Sequence, residues 1–169
     1  MLTLVRCSTS IVITTCNIND KKIYVGADHN GFRLKAGLVN YLIRAGYDVV
    51  DDGDKRLEPT DDYPLFAGRV VADMLASSGE EEPRGILICG SGQGMCIAAN
   101  RFKGIRACLG YDRDSVRLAR NDDDCNVLCL PAKTLEDDEA HIIVETFLNT
   151  PFAEAARYIR RRDQLDTLG

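Results

Sequence analysis

Residues 86–100 read Ile-Leu-Ile-Cys-Gly-Ser-Gly-Gln-Gly-Met-Cys-Ile-Ala-Ala-Asn. The unbroken apolar start is typical of a buried strand, and three glycines then follow within five residues before a helical pattern with small residues begins. We therefore predict a strand, a tight turn and the N-terminus of a helix. Such a turn attracts anions, because glycine lets a ligand approach the main chain and the first amides of a helix have no intrahelical partner.

Cys89 lies where the predicted strand meets this turn. The partial positive charge of a helix N-terminus favours a thiolate for the same reason that it favours an anionic ligand. The pattern therefore indicates a cysteine base beside an anion site. A cysteine that ends an apolar strand is also typical of a small buried hydrophobe, and the residues alone leave that alternative open.

Three known phosphate-binding motifs fit this stretch poorly. Gly90, Gly92 and Gly94 run Gly-x-Gly-x-Gly, and no acidic residue stands where a dinucleotide-binding fingerprint has its ribose contact. A Walker A loop is excluded because Gly-Lys-Ser/Thr is missing. A phosphatase loop of the Cys-x5-Arg kind needs an arginine at the position of Met95.

Composition limits the class of protein. A chain of 169 residues with 45% hydrophobic content is long enough for one ordinary domain, and a net charge of −5 disfavours nucleic acid as a partner. The seven cysteines lie singly, without the paired spacing of a metal site, which predicts a reduced cytoplasmic chain. No segment approaches the roughly eighteen consecutive apolar residues of a membrane span, so we expect no membrane partner.

Residues 1–20 differ from the rest of the chain. They are rich in serine, threonine and small apolar residues, with one arginine and no acidic residue before Asp20. We predict a non-catalytic N-terminal extension over residues 1–20 and a single domain over residues 21–169. A weak organelle presequence is the alternative, for which a single basic residue is few.

The rest of the chain alternates strand-like and helix-like stretches. Five strands separated by helices predict an α/β fold: a doubly wound, Rossmann-like sheet of parallel strands with helices on both faces. Ligands of such sheets bind at the carboxyl ends of the strands. The predicted strands cover residues 22–27, 47–50, 86–89, 104–109 and 126–130, and the predicted helices begin near residues 32 and 134 or cover residues 61–78, 112–120 and 152–166.

Two details of the helices follow from the spacing of apolar and polar residues. Ile43 and Leu75 are assigned to the buried faces of the first and second predicted helices. Asp61 and Asp62 are N-cap candidates, because they precede Pro64, a residue suited to a first helical turn.

Histidines and arginines supply further candidates. His29 stands in the polar turn Asp28-His29-Asn30-Gly31 after the first strand, where it is either functional or a surface and capping residue. His141 lies among apolar residues of a helix and is assigned a structural role. Arg157 and Arg161 are four residues apart and share one helix face. Two such guanidinium groups fit a phosphate, with a solvated helix face as the alternative.

Several short motifs form a specific set that extends over residues 22–165. They are Gly26-Ala27-Asp28-His29-Asn30-Gly31-Phe32 with Lys35, Asp62-Tyr63-Pro64, residues 85–95 with Ala98-Ala99-Asn100, Gly104-Ile105-Arg106-Ala107, Asn126-Val127-Leu128, and the spaced pair Arg157 and Arg161. Together they resemble the family of ribose-5-phosphate isomerase B and galactose-6-phosphate isomerase, which are sugar-phosphate isomerases.

The resemblance implies interconversion of an aldose phosphate and its ketose isomer through an enediolate, with ribose 5-phosphate and ribulose 5-phosphate as the expected pair. Cys89 matches the position of the family's catalytic cysteine, which moves a proton between C1 and C2. Ser91 and the amides of Gly90, Gly92 and Gly94 would stabilise the enediolate oxygen, because backbone donors in a dry site suit developing negative charge.

The same resemblance implies binding roles and an assembly. Asp28 would hold sugar hydroxyls, and Asn100 and Asn126 would add polar contacts. No metal or other cofactor is implied. A homodimer, or a tetramer of dimers, is expected, with sites completed by the neighbouring subunit. The implied phosphate-binding residues are His29, Lys133, Arg157 and Arg161.

One position departs from the family pattern. Asp122 stands where many relatives have a histidine that helps to open the furanose ring. A carboxylate accepts a proton from the anomeric hydroxyl less effectively at neutral pH unless burial raises its pKa. Two other functions therefore stay open: an isomerase of a four- or six-carbon aldose phosphate, and a sugar-phosphate-binding protein without enzymatic activity.

Overall fold

Five parallel strands form one sheet in the order β2-β1-β3-β5-β4. The computed structural model describes residues 21–77 and 82–168, so the predicted extension over residues 1–20 lies outside the described residues. The strands are β1 (Lys22–Ala27), β2 (Asp48–Asp51), β3 (Arg84–Cys89), β4 (Ala107–Leu109) and β5 (Val127–Pro131). The helices are α1 (Phe32–Arg44), α2 (Tyr63–Ala76), α3 (Gln93–Ala99), α4 (Arg113–Asp123), α5 (Asp137–Asn149) and α6 (Ala156–Leu165).

Helices cover both faces of the sheet, which confirms the predicted doubly wound α/β class. In β3, Ile86 and Ile88 join an apolar cluster with α1, α4 and α5, whereas Leu87 and Cys89 join a second cluster with α2 and α3. Alternate residues of a strand point to opposite faces of the sheet, and here both faces are buried beneath helices. This is why the strand sequence is apolar without interruption.

The order of the strands changes direction between β1 and β3. The chain leaves β1 for β2 on one side and returns to β3 on the other, so the loops after these neighbouring strands diverge. The Asp28 amide donates to the Ile88 carbonyl across this junction at 3.2 Å. Gly31 crosses so close that a Cβ atom there would lie 2.6 Å from the same carbonyl oxygen.

Several predicted boundaries differ from those of the structure. β4 begins at Ala107, three residues later than predicted, because Gly104 adopts a left-handed φ of 81° and the Ile105 amide donates back to the Phe102 carbonyl. The last helix begins at Ala156 and not near residue 152. Backbone hydrogen bonds within a turn therefore replaced ladder bonds in the first case.

The assignment of two apolar residues to buried helix faces was wrong. Ile43 and Leu75 are each 55% exposed. By contrast, Lys35 of α1 is buried, with 3% of its surface exposed.

His141 stacks against Tyr41 with 4.4 Å between the ring centroids, in keeping with a structural role. None of the helices formed by residues 21–77 and 82–168 has the length and apolar character needed to cross a membrane.

The buried lysine holds an acidic loop that follows β2. Lys35 Nζ donates to Asp51 Oδ1 at 2.6 Å and to the Asp54 carbonyl at 3.1 Å. Burial, followed by the neighbouring charge of Asp73, raises the pKa of Asp52 to about 6. Asp52 Oδ2 is buried without a hydrogen-bond partner among the described residues. The ionised Asp52 carboxylate therefore opposes folding at neutral pH.

We predict that Asp52→Asn stabilises the protein at pH 7. The folded carboxyl keeps its proton up to about pH 6, whereas its ordinary pKa is 3.8. Stability therefore falls as pH rises between these values, since the folded state binds more protons there. The amide removes this loss, and we expect a gain of about 1 kcal/mol in urea unfolding after allowing for solvent screening. Asp48→Asn, exposed at the other end of β2, is the matched control, and an equal gain in both variants would contradict the assignment.

Candidate active site

Cys89 lies at the boundary between the core and the loop that follows β3. It is 5% exposed and packs in the apolar cluster beneath α2 and α3. The Gly92 amide turns back and donates to its Sγ atom at 3.1 Å. Gly92 adopts a left-handed φ of 72°, which glycine does without strain. A backbone donor aimed at the sulfur stabilises negative charge on it.

The glycines of this loop allow very close packing on the strand ends. A Cβ atom at Gly92 would lie 2.5 Å from Leu109 Cδ1, and one at Gly94 would lie 2.8 Å from the Tyr63 ring. α3 starts directly after Gly92 and has no side-chain cap. Its first backbone amides are therefore available to a ligand. Ser91 is exposed beside them.

Asp28 follows β1 and is 6% exposed. Its Oδ1 atom accepts hydrogen bonds from the amides of Asn30 at 2.9 Å and Gly31 at 3.1 Å. Asp28 therefore fixes the turn that leads into α1, and its carboxylate lies at the same sheet edge as Cys89.

His29 forms a pair with Asp61 that the sequence analysis missed. Its Nδ1 atom lies 2.7 Å from Asp61 Oδ1, which also accepts a hydrogen bond from the His29 amide at 3.0 Å. The hydrogen bond to Asp61 raises the pKa of His29. Asp62 occupies the N-cap position of α2 but makes no side-chain cap hydrogen bond. No local signal distinguishes the two aspartates, because the pairing joins residues 32 positions apart.

Lys133 adds a second cationic group to this edge. The loop after β5 is tied to the glycine loop, since the Lys133 amide donates to the Gly90 carbonyl at 3.0 Å. Its side chain lies over Gly90, where an added Cβ atom would be 3.2 Å from Lys133 Cε. His29 and Lys133 thus bring two basic side chains to the strand ends that carry Cys89, where the carboxylates of Asp28 and Asp61 also lie.

Asp28, His29 and Asp61 also have the composition of a metal site. One potential ligand atom from each lies within 4.8 Å of the others. One oxygen of each carboxylate is engaged in hydrogen bonds inside the protein: Asp61 Oδ1 accepts from His29, and Asp28 Oδ1 accepts from two backbone amides. These hydrogen bonds explain why the three side chains lie together.

Three predicted residues, Asp122, Arg157 and Arg161, form a second cluster with Asp123 at the end of α4 and along α6. The hydrogen bond to Tyr158, with Nη2 2.6 Å from Oη, raises the pKa of Arg157, and the charge of Asp122 raises it further. Burial raises the pKa of Asp123, whereas the charge of Arg161 lowers it. Two arginines and two carboxylates therefore share this surface.

The two clusters lie at opposite ends of the strands: the first at their carboxyl ends and the second at their amino ends. α4 runs from the carboxyl end of β4 back to the amino end of β5, so its last residues face away from Cys89. The six steps from residue 126 to residue 132 span about 20 Å at the rise of an extended strand. Within one chain, Asp28, His29 and Lys133 lie with the glycine loop, whereas the second cluster lies apart from it.

Asn100 and Asn126 hold the segment that enters β4. Asn100 Oδ1 accepts from the Ala107 amide at 2.9 Å, and its Nδ2 donates to the Ala107 carbonyl at 2.9 Å. Asn126 accepts from the Arg106 amide and donates to the Gly104 carbonyl, both at 2.8 Å. Their side chains are engaged with backbone groups, and a contact with substrate stays a prediction for both.

A family model described as Ribose/Galactose Isomerase matches residues 23–165. The chain belongs to this family. It is 41% identical over 139 residues to the probable ribose-5-phosphate isomerase B of Mycoplasma pneumoniae, covering 82% of this chain and 89% of that protein. It is 39% identical over 148 residues to the ribose-5-phosphate isomerase B of Escherichia coli, covering 88% of this chain and 96% of that protein.

Solved structures agree with the family and the fold. The ribose 5-phosphate isomerase of Thermotoga maritima superposes with a TM-score of 0.81 at 42% identity, over 87% of this chain and 98% of that chain. The ribose-5-phosphate isomerase B of Mycoplasma genitalium, solved with bound ribulose-5-phosphate, superposes with a TM-score of 0.82 at 37% identity, over 88% and 95% of the two chains. The predicted family resemblance and fold class are confirmed.

We predict that Asp61→Asn lowers the pKa of His29. The raised pKa depends first on the hydrogen bond to the Asp61 carboxylate, so the neutral amide removes the main stabilisation of the protonated ring. The measurement is an NMR titration of the His29 ring in the full chain. Asp62→Asn is the matched control, because Asp62 is the exposed neighbour. An unchanged His29 titration in Asp61→Asn would show that the pair does not control the ring.

Proposed function

We propose that this protein interconverts ribose 5-phosphate and ribulose 5-phosphate through an enediolate, with Cys89 as the base. The observation that carries the proposal is the environment of the Cys89 sulfur. This atom accepts a hydrogen bond from the Gly92 amide at 3.1 Å and lies beside the start of α3, which has no side-chain cap. Family membership supports the reaction class, and a solved relative at 37% identity carries bound ribulose-5-phosphate.

The proton transfer follows from the chemistry of the aldose. The Cys89 thiolate takes the proton from C2 of the open-chain aldose and returns it to C1. The proton of the C2 hydroxyl passes to O1, so that a hydroxyl stands at C1 and a carbonyl at C2. Between these steps the substrate is an enediolate whose oxygen carries negative charge. Backbone amides of the loop at Gly90, Gly92 and Gly94, with the Ser91 hydroxyl, donate to that oxygen. Fixed donors in a site shielded from water stabilise such charge strongly.

Phosphate binding is assigned to cationic groups from two directions. His29, whose pKa is raised by Asp61, and Lys133 lie at the Cys89 edge of the chain. Arg157 and Arg161 lie on α6, near the amino ends of the strands. We infer a homodimer in which Arg157 and Arg161 of the partner subunit complete the Cys89 site. The reciprocal arrangement gives two identical sites, as two-fold symmetry requires.

Ring opening is assigned to Asp122 in the same assembly. Asn121 Nδ2 donates to Asp122 Oδ1 at 2.6 Å, which orients the carboxylate. In the homodimer, Asp122 of the partner subunit accepts the proton of the anomeric hydroxyl. The aspartate at this position also favours a second candidate, an isomerase of a four- or six-carbon aldose phosphate, because it changes the group that meets the sugar ring.

The thiols support a cytoplasmic location. The five cysteines among the described residues are all free, including the proposed base. Free thiols persist in the reducing cytoplasm, and a cysteine base requires one.

We predict that the wild-type protein converts ribose 5-phosphate in heavy water with deuterium incorporated at C1 of the ketose. Cys89→Ala should lower kcat by about 10³-fold, because the proton carrier is lost. Cys108→Ala, which changes a cysteine of β4, is the matched control and should retain activity. Full activity in Cys89→Ala would show that the base lies elsewhere.

A panel of sugar phosphates separates the remaining functions. Turnover of a four- or six-carbon aldose phosphate, with ribose 5-phosphate inert, would establish the second candidate. Binding of sugar phosphates without turnover of any would establish a non-enzymatic binding protein.

We predict that two defective variants restore activity when their subunits are mixed. Cys89→Ala lacks the base, and Arg161→Ala should bind substrate weakly, so each alone has little activity at low substrate concentration. A heterodimer contains one site with both residues intact. Random reassortment of dimers should therefore recover about a quarter of wild-type activity. Activity equal to the mean of the two variants would contradict a site shared between subunits.

A further inference from the structure

Asn30 lies beside two residues of the candidate site and against the glycine loop. Its Nδ2 atom is 2.8 Å from Nε2 of His29 and 3.4 Å from Oδ2 of Asp28. A Cβ atom at Gly90 would lie 3.4 Å from the carboxamide carbon of Asn30, so the missing side chain there leaves room for this group. The Asn30 carboxamide therefore meets the His29 ring at the start of the glycine loop.

The carboxylate of Asp28 determines which way the Asn30 carboxamide points. With Nδ2 toward the ring, the amide donates to Nε2 of His29, and its second hydrogen is directed toward Asp28 Oδ2. The reverse orientation would place the amide oxygen against Asp28 Oδ2, so that two acceptors would face each other. Asn30 therefore offers the His29 ring a donor and not an acceptor.

The two nitrogens of the His29 ring consequently have opposite partners. Nδ1 lies 2.7 Å from Oδ1 of Asp61, which is an acceptor, so Nδ1 carries a hydrogen. Nε2 faces the Asn30 donor and holds a lone pair. The ring in this arrangement is neutral, and its one N–H group is held by Asp61. A protonated ring would set its Nε2–H group against the Asn30 N–H group.

Charged groups around the ring act in both directions. The hydrogen bond to Asp61 raises the pKa of His29, the charge of Asp28 on the same turn raises it further, and the charge of Lys133 after β5 lowers it. A phosphate group brings negative charge and acceptor oxygens to Nε2, where the protein itself supplies a donor. The ring therefore gains its second hydrogen most favourably when an anion is bound.

We propose that Asn30 is a positioning residue that keeps Nε2 of His29 unprotonated until a phosphate group displaces it, so that anion binding takes up a proton. The inference rests on the assignment of His29 to phosphate binding in the proposed function. The proton comes from solvent and binds at Nε2, whose N–H group then donates to a phosphate oxygen. Asn30 leaves Nε2 at that point, because two donors face each other. Asn30 thus weakens phosphate binding at alkaline pH, where the ring is neutral, and not at acidic pH.

An NMR titration of the His29 ring in the full-length protein tests the proton state directly. Above the titration midpoint, the nitrogen shifts of the free protein should show a hydrogen on Nδ1 and none on Nε2. Saturation with inorganic sulfate, an anion that does not titrate near neutral pH, should protonate Nε2 and raise the midpoint. A free ring with its hydrogen on Nε2, or a midpoint that sulfate leaves unchanged, would overturn the proposal.

Two variants at position 30 give results that a purely structural role would not. The Asn30 main-chain amide donates to Asp28 Oδ1 at 2.9 Å, and this bond does not require the Asn30 side chain. Asn30→Ala removes the donor from Nε2 and should raise the His29 midpoint by about 0.5 pH unit. Asn30→Asp supplies an acceptor and should raise the midpoint further. Asn40→Ala, at an exposed position of α1, is the matched control and should leave the midpoint unchanged.

Kinetics with ribose 5-phosphate separate this inference from the proposed function. Asn30→Ala should lower KM about threefold near pH 8, leave KM unchanged near about pH 5.5, and change kcat little at either pH. An equal change of KM at both pH values, or a wild-type midpoint in Asn30→Ala, would overturn the inference. If ribose 5-phosphate is not turned over, the midpoints still decide the inference, and the lack of turnover counts against the proposed function alone.

Discussion

The left-handed turn at Gly92 is the constraint on which the candidate site depends. It reverses the chain directly after the buried strand β3, aims its amide at the Cys89 sulfur, and starts α3 against Leu109 and Leu130. Any side chain at this position would collide with the sheet and would strain the backbone. The same contact that fixes the sulfur therefore also fixes the free amides at the start of the helix.

The junction of β1 and β3 explains why the polar residues gather beside this turn. Loops that leave neighbouring parallel strands in opposite directions create a crevice, and Gly31 lets the β1 loop cross directly over the Ile88 carbonyl. One carboxylate oxygen of Asp28 fixes that loop by accepting two backbone hydrogen bonds. His29 is oriented in turn by Asp61 from the segment before α2. The site is thus held by backbone geometry first and by side-chain pairs second.

Helix direction separates the remaining candidates from this crevice. A helix that joins two parallel strands must run from the carboxyl end of the first to the amino end of the second. The end of α4 therefore carries Asp122 away from Cys89. α6 packs beside that end, with Arg157 and Arg161 near the carboxylates. The chain therefore holds two incomplete halves, an arrangement that suits a symmetric assembly.

The sequence by itself determined the strand–turn–helix at residues 86–100, the parallel α/β class and the family, because glycine spacing and apolar periodicity are local properties. It assigned Ile43 and Leu75 to the core, although both are exposed, since periodicity does not report where a neighbouring helix ends. Only the tertiary structure decided that Asp61 pairs with His29. That contact joins residues 32 positions apart, and it forms because the packing of helices on the sheet brings the start of α2 beside the loop that follows β1.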